Sequence, residues 1–232
     1  TAFLSLSDMG KALPSYEEIP IACEMDEAVE TEYRRIEHKL VQVLRTDRRV
    51  AQKILSAYLN LLTVYPDQPY DQKPILYPDS DVPIVEPENI GDADTLGEKE
   101  LRTLEIVRAA IQNGERALIY TSWVRTDSQQ KLKKFLTDEG YRTEILTDKI
   151  KTTDREDWVQ KKLAAGMQVL IVNPSLVETG LDLNAFTTLV FYSMGYKLFT
   201  LRQASRRSWR INQKSPAVKV YMLYYEDTMQ QK

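Results

Sequence analysis

Two short apolar runs constrain this chain more than anything else in it: VLIV, Val169–Val172, and TTLVFY, Thr187–Tyr192. Each is nearly continuous rather than alternating, as expected of strands buried on both faces of a sheet. ALIYTS (117–122), TEILT (143–147) and AVKVYMLYY (217–225) repeat the theme. Segments of helical length separate them. Ser128 to Thr137 places Leu132, Phe135 and Leu136 inward and Lys131, Lys133 and Lys134 largely outward, and a second helix runs from Thr153 to Ala165, capped by Thr152 or Thr153. Alternation of this kind predicts an α/β domain with at least five strands and helices on both faces.

In parallel α/β sheets the working loops lie past the carboxyl ends of the strands. Glu178, Thr179, Gly180 and Asp182 fall in such a loop, between VLIV and TTLVFY. Glycine lets backbone approach a ligand closely. Asp182 can accept from a ribose hydroxyl or an arginine, and Thr179 can donate to a nucleic-acid phosphate. The alternative is an ordinary strand-to-loop turn. Beyond TTLVFY, QASRRSWRINQ gathers Arg206, Arg207 and Arg210 on a predicted helix. Arginine is always charged and bidentate, which suits a polyphosphate; out of context the same cluster is a solvated basic face.

Composition is ordinary for a globular chain of 232 residues, 43% hydrophobic and 28% charged. No apolar run approaches the ~20 residues that cross a bilayer, and no basic-then-apolar leader opens the chain, so no membrane partner is expected. One cysteine, Cys23, excludes an internal disulfide and fits a reducing compartment. The expected location is cytoplasmic, nucleoid-associated, or nuclear, and not secreted. One histidine, His38, leaves no His-based triad or zinc site. The net charge of −3 is uneven: residues 1–100 carry 10 Lys/Arg against 20 Asp/Glu, and residues 101–232 carry 21 against 14. A basic second part suggests a polyanion partner, or attraction to the acidic first part.

Residues 1–14 read as an extended lead-in and IPIACEM (19–25) as a strand. Asp26 caps a helix with Val29, Tyr33, Ile36, Leu40, Val43 and Leu44 on one face. A second helix, Arg49 to Val64, turns Val50, Ile54, Ala57, Tyr58, Leu61 and Leu62 inward. Six prolines between Pro66 and Pro87 then exclude regular helix or central strand. The expected division is an acidic helical connector, 1–94, whose Pro-rich linker covers 66–94, followed by an α/β lobe, 95–232. A helix from Thr95 ends at Asn113-Gly114.

At QASRRSWRINQ the chain resembles motif VI of superfamily 2 helicases and translocases, closest to the Swi/Snf-type group. Gln203, Arg207, Arg210 and Gln213 match its Q-x-x-x-R-x-x-R-x-G-Q pattern; Asn212 replaces its Gly, and Ser205-Arg206 a pair that is often acidic. VNPSLVETGLDL resembles motif V, ALIYTSW motif IV and EILTDKIKTTDRE the stretch after it. YEDTMQQK resembles a G-T-x-E-like tail, with Asp227 in place of Gly and Gln230 in place of Glu. LPSYEEIPI with the following helix looks like the family's connector, so nearly the whole chain is covered.

The resemblance implies a RecA-like three-layer α/β/α sandwich with a mostly parallel sheet, the C-terminal lobe of a two-lobed motor. It implies Arg207 and Arg210 as fingers on ATP, with Gln203, Gly180 and Asp182 supporting that site. It implies nucleic-acid contacts from Ser122, Thr179, Lys149, Lys151 and Arg155. Trp123 is read as packing and Arg206 as serving nucleic acid or solvent. ATP and Mg2+ would be held mainly by an N-terminal lobe, and the partner would be double-stranded DNA. Asp26–Val29, DEAV, imitates motif II, but no P-loop precedes it and Gly10-Lys11 is followed by Ala. It is read as a helix start rich in acids, and the chain, lacking Walker A and Walker B motifs, is expected not to hydrolyse ATP alone. A non-catalytic nucleic-acid-binding or scaffold module and an unrelated α/β enzyme remain open at this point.

Overall fold

The computed structural model describes residues 14–122, 128–177, 181–194, 208–209 and 216–231. The chain forms two compact units, Thr1–Ile21 with Arg102–Leu223 and Ala22–Leu101 with Tyr224–Lys232.

The first unit is built on the apolar runs. Six strands, β1 (Ser15–Cys23), β4 (Ala117–Tyr120), β5 (Thr143–Leu146), β6 (Val169–Val172), β7 (Thr188–Phe191) and β8 (Ala217–Tyr225), form one sheet in the order β1-β8-β7-β4-β6-β5. The central pairs are parallel, with Ala117 level with both Val169 and Thr188. β5 joins β6, and β8 joins β7, in the same sense. Ser15 N–H donates to Pro216 O, and Glu226 N–H to Cys23 O, so β1 runs alongside β8 in that direction too. IPIACEM was expected as a strand; the strand opens four residues earlier and closes the sheet as its sixth member. Every residue of β4, β6 and β7 is buried, which explains why these runs do not alternate in polarity.

Helices cover both faces. Val159 of α5 (Arg155–Ala164) packs with Leu118, Tyr120, Leu146, Leu170 and Val172 on one side. Val107 of α3 (Glu98–Gln112) and Leu132 and Leu136 of α4 (Ser128–Asp138) pack with Ile119, Ile145, Val169 and Ile171 on the other. This is the expected RecA-like three-layer sandwich. The three helices end alike: Gly114, Gly140 and Gly166 take φ of 74°, 90° and 89°. After each, the next N–H reaches five residues back, Glu115 to Ala110, Tyr141 to Leu136 and Met167 to Lys162. Such closures satisfy the last helical carbonyls and turn the chain into the following strand.

Two local expectations are corrected here. α3 begins at Glu98 rather than Thr95, after Asp92 Oδ1 has accepted from Asp94 N–H and from the Thr95 N–H and hydroxyl. α5 begins at Arg155, behind a 3-10 turn at Thr152–Asp154, and neither Lys151 nor Asp154 caps with its side chain. Thr153 hydroxyl bonds Asp154 Oδ1 instead of capping.

In the second unit α1 (Glu27–Thr46) and α2 (Arg48–Val64) pack through Val29, Tyr33, Ile36, Leu40, Ile54, Tyr58, Leu61 and Leu62. Ala57 was expected inward but is exposed, because the buried stripe follows 54, 58, 61 and 62. Asp26 stands at the N-cap of α1 without a side-chain cap bond, whereas Asp47 caps α2 through Arg49 N–H and Val50 N–H. The DEAV segment is thus the first turn of α1. The Pro-rich stretch holds a two-stranded antiparallel hairpin, β2 (Ile75–Leu76) with β3 (Pro83–Val85), where only loop was expected. Pro83 opens β3, one of the few strand positions open to proline.

A buried polar cluster lies at the base of this unit. Lys99 Nζ donates to Asp67 Oδ1 at 2.8 Å and to Gln230 Oε1 at 2.6 Å, and lies 5.0 Å from the Tyr225 ring centroid. Gln230 Nε2 donates to Thr63 O at 2.8 Å. Asp227 takes φ of 53° at the position where the resembled tail carries glycine; aspartate is one of the few residues that tolerate it.

Candidate nucleic-acid interface

The carboxyl ends of β4, β6 and β7 are stitched together by polar side chains. Ser122, two residues past β4, donates twice to Ser193: its N–H to Ser193 Oγ at 2.9 Å and its hydroxyl to Ser193 O at 3.1 Å. Asn173, the first residue past β6, donates from Nδ2 to Ser122 O at 3.3 Å. Its Oδ1 accepts from Ser175 N–H at 2.9 Å and Ser175 hydroxyl at 2.6 Å. Gln129, in the first turn of α4, donates to Thr121 Oγ1 at 2.9 Å. These bonds hold the loop starts of three neighbouring strands in one register.

Beside them opens a cleft of about 280 Å³, lined by Gln129, Gln130, Thr147, Lys149, Asn173 and Ser175 among others. Its rim is the loop after β5. Lys149 and Lys151 are exposed there, and among the described residues neither is held in an ion pair; Asp148 beside them is exposed as well. Arg155 is used differently. Its Nε donates to Ile150 O at 3.2 Å and its Nη1 to Leu176 O at 2.8 Å, so one guanidinium ties the loop after β5 to the turn after β6. The planar fork suits this bridging in a way a lysine could not.

Asp182 accepts from Asn184 N–H at 3.0 Å, forming a tight turn between buried Leu181 and Leu183. Two residues of the arginine segment are described. Ser208 is fully buried and its hydroxyl donates to Leu183 O at 3.1 Å. Trp209 donates from Nε1 to Pro14 O at 2.8 Å, and its ring lies 5.3 Å from that of Tyr16.

The structure thus brings Ser122, Lys149, Lys151 and Arg155 to one edge of the sheet. Arg207, Arg210, Gln203, Gly180 and Thr179 lie outside the described residues, as do Glu178, Trp123, Arg206 and Gln213. Sequence reading did not single out Asn173, Ser193, Gln129 or Trp209. The position of Asn173 immediately after VLIV was the available signal, since the first polar residue past a buried parallel strand faces the working edge.

Residues 99–212 match the helicase conserved C-terminal domain. Among solved structures, the chain resembles the C-terminal part of the Fun30 ATPase domain, at 14% identity over 94% of this chain and 87% of that one, TM-score 0.68. It also resembles the Sulfolobus solfataricus SWI2/SNF2 ATPase core in complex with dsDNA, at 19% identity over 94% of this chain, TM-score 0.67; it spans 42% of that core. The separate C-terminal domain of the Sulfolobus solfataricus SWI2/SNF2 ATPase matches at 18% identity over 94% of this chain and 82% of that one, TM-score 0.63. No curated protein matches the chain significantly. Residues 99–212 are therefore a helicase C-terminal domain, a RecA-like lobe with the fold of Swi2/Snf2 ATPase C-terminal domains.

Proposed function

We propose that the chain is the C-terminal motor lobe of an ATP-dependent helicase or DNA translocase. It grips the nucleic-acid backbone along the carboxyl edge of its sheet and supplies Arg207 and Arg210 to ATP held by an N-terminal lobe. The observation that carries the grip is the rim of the cleft, where two exposed lysines stand on a loop braced by Arg155. Free ammonium groups on a fixed loop can neutralise phosphates without first breaking internal ion pairs, and the cost of ordering them is low. Ser122, Asn173 and Ser175 add hydroxyl and amide dipoles at the same edge. Double-stranded DNA is the proposed partner, in keeping with the archaeal SWI2/SNF2 core bound to dsDNA.

ATP enters through the arginines. A guanidinium reaching the γ-phosphate stabilises charge that develops during phosphoryl transfer, an effect of about 10³–10⁵ in rate. Asp182, fixed by its turn, would support that site with Gly180 and Gln203. Mg2+ coordination falls to the N-terminal lobe in this reading; among the described residues no cluster of three or more His, Cys, Asp or Glu side chains offers a metal site. Closing and opening of the lobes around ATP would then move the grip along the duplex.

The test is duplex-DNA affinity of the chain across a salt series, alongside Lys149→Ala/Lys151→Ala. Two lost phosphate contacts should reduce the slope of log K against log salt by about 1.8. An unchanged slope would remove the loop from the track.

A further inference from the structure

Arg45, Arg48 and Arg49 stand at one sharp turn of the second unit. α1 ends at Thr46 and α2 begins at Arg48, so Asp47 alone separates two helices that bring these arginines within one short run, RTDRR. All three arginines are exposed. The one carboxylate in the run, that of Asp47, is committed to the Arg49 and Val50 N–H groups at 2.9 and 3.1 Å. Elsewhere in the unit Arg34, Arg35, Lys53 and Lys99 are each held by a carboxylate. Among the described residues no ion pair holds Arg45, Arg48 or Arg49.

This placement runs against the local electrostatics and against the charge of the surroundings. Arg45, in the last turn of α1, favours that helix, but Arg48 and Arg49 open α2, whose first turn carries no acidic residue. Positive charge at a helix N-terminus opposes the helix dipole, and like charges gathered at one turn repel each other. The rest of the unit carries 7 Lys/Arg against 18 Asp/Glu. Unpaired cations concentrated where they weaken a helix, on an otherwise acidic unit, are explained by an anion that arrives from outside.

We infer that the α1–α2 turn is a second contact for the nucleic-acid backbone, carried by the other unit from the loop after β5. The inference rests on the nucleic-acid part of the function proposed above and needs nothing of its ATP part. Guanidinium groups meet phosphate oxygens with two parallel N–H donors, and these three have no internal partner to give up first. The narrowness of the patch selects the partner. A broad anionic surface such as a bilayer would face the unit's carboxylates together with the turn, whereas a nucleic-acid strand presents its phosphates in single file to a helical tip. At physiological salt screening acts over ~8 Å, so the tip can be attracted while the rest of the unit is not felt. Nor does the turn offer an apolar side chain to enter a bilayer; among the described residues the exposed large ones are Leu55, Leu76, Tyr77, Val82 and Leu101.

The experiment measures affinity of the chain for labelled duplex DNA across a salt series. Arg45→Ala/Arg48→Ala/Arg49→Ala should reduce the slope of log K against log salt by about 2.7, three contacts at ~0.9 each. Combined with Lys149→Ala/Lys151→Ala, the reduction should reach about 4.5, because the two patches release their counterions independently. The triple lysine variant Arg45→Lys/Arg48→Lys/Arg49→Lys should keep the wild-type slope, since counterion release counts charges. Lys73→Ala, which removes an exposed charge elsewhere in the same unit, should also leave the slope unchanged. Urea melts of the triple alanine variant should match wild type or exceed it, because no internal ion pair is lost and α2 is relieved of two opposing charges. A wild-type slope in the triple alanine variant, beside a reduced slope in Lys149→Ala/Lys151→Ala, would overturn this inference and leave the loop after β5 as the grip. A lysine variant as weak as the alanine one, or an equal loss in Lys73→Ala, would overturn it as well. Binding to phosphatidylserine vesicles that depends on the three arginines, with the DNA slope unmoved, would assign the turn to a membrane instead. No salt-dependent binding of duplex DNA by the wild-type chain would overturn the nucleic-acid reading and this inference with it.

Discussion

Replacing Lys99 by Met should destabilise the second unit more than any other single substitution of a charged residue there. The Lys99 and Asp67 side chains are 1% and 3% exposed, and the ammonium lies 2.8 Å from the carboxylate and 2.6 Å from Gln230 Oε1. Burial pushes the Asp67 carboxyl up, against the opposing pull of Lys99. Methionine would fill much of the same volume but leave Asp67 buried without its cation. Breaking a buried pair in this way costs about 3–5 kcal/mol, or roughly 6–20 °C in Tm for a chain of this size. The cost has a pH signature. Without Lys99 the folded-state pKa of Asp67 rises further above its unfolded value. Stability of the variant is then highest below the ordinary carboxylate range and falls as pH rises through the raised pKa. The gap to wild type should narrow as pH is lowered towards 4. Asp67→Asn with Lys99→Met should recover most of the loss, since removing both charges removes the uncompensated one. Urea melts followed by far-ultraviolet circular dichroism at pH 4 and pH 7 read these differences. A Lys99→Met variant within ~0.5 kcal/mol of wild type at pH 7, the ordinary scatter of surface substitutions, would refute the reasoning.

Three further outcomes follow from the geometry. Arg155→Met removes the bridge between Ile150 O and Leu176 O, so it should weaken duplex-DNA binding while leaving the salt slope unchanged, seen by fluorescence anisotropy; a slope reduced by about 0.9, one contact, would make Arg155 a phosphate ligand instead. Asp227→Val places a branched side chain at φ of 53° and should cost about 1–2 kcal/mol, whereas Asp227→Gly should cost little; equal losses for both in chemical denaturation would show that the aspartate side chain, not the backbone, matters. Glu32 is buried, yet Arg35 at 2.5 Å and the Glu88 N–H at 2.8 Å outweigh desolvation and hold its carboxyl below the usual range. Its contribution is therefore present above the unfolded-state pKa and lost as pH falls through the folded one, and Glu32→Gln should flatten the acid limb of the stability profile.

The sheet was legible because its central strands β4, β6 and β7 are buried on both faces, which leaves short, nearly continuous apolar runs. The arginine segment was read from a different signal, the spacing of Gln203, Arg207, Arg210 and Gln213, and these four lie outside the described residues. What could not be read was long-range pairing. β1 completes the sheet beside β8, its partner nearly 200 residues along the chain, and nothing in SYEEIPIAC announces that neighbour. The hairpin at Ile75–Leu76 and Pro83–Val85 was hidden by prolines, which forbid central strands but accept strand ends. The charge of Arg155 is visible in sequence, while the two carbonyls it bridges are brought together only by folding. Nothing in the sequence marks Lys99 and Asp67 as a buried pair, for the same reason.

Under the proposed function, this lobe supplies Arg207 and Arg210 to ATP held by another lobe. Steady-state ATP hydrolysis in the presence of duplex DNA tests this most directly, measured for the chain alone, for the two-lobed protein, and for the two-lobed protein with Arg207→Ala or Arg210→Ala. The account predicts no hydrolysis by the chain alone, robust hydrolysis by the two-lobed protein, and a loss of about 10³-fold or more in each arginine variant with ATP still bound. Metal-dependent hydrolysis by the chain alone, or arginine variants that turn over at the wild-type rate, would contradict it.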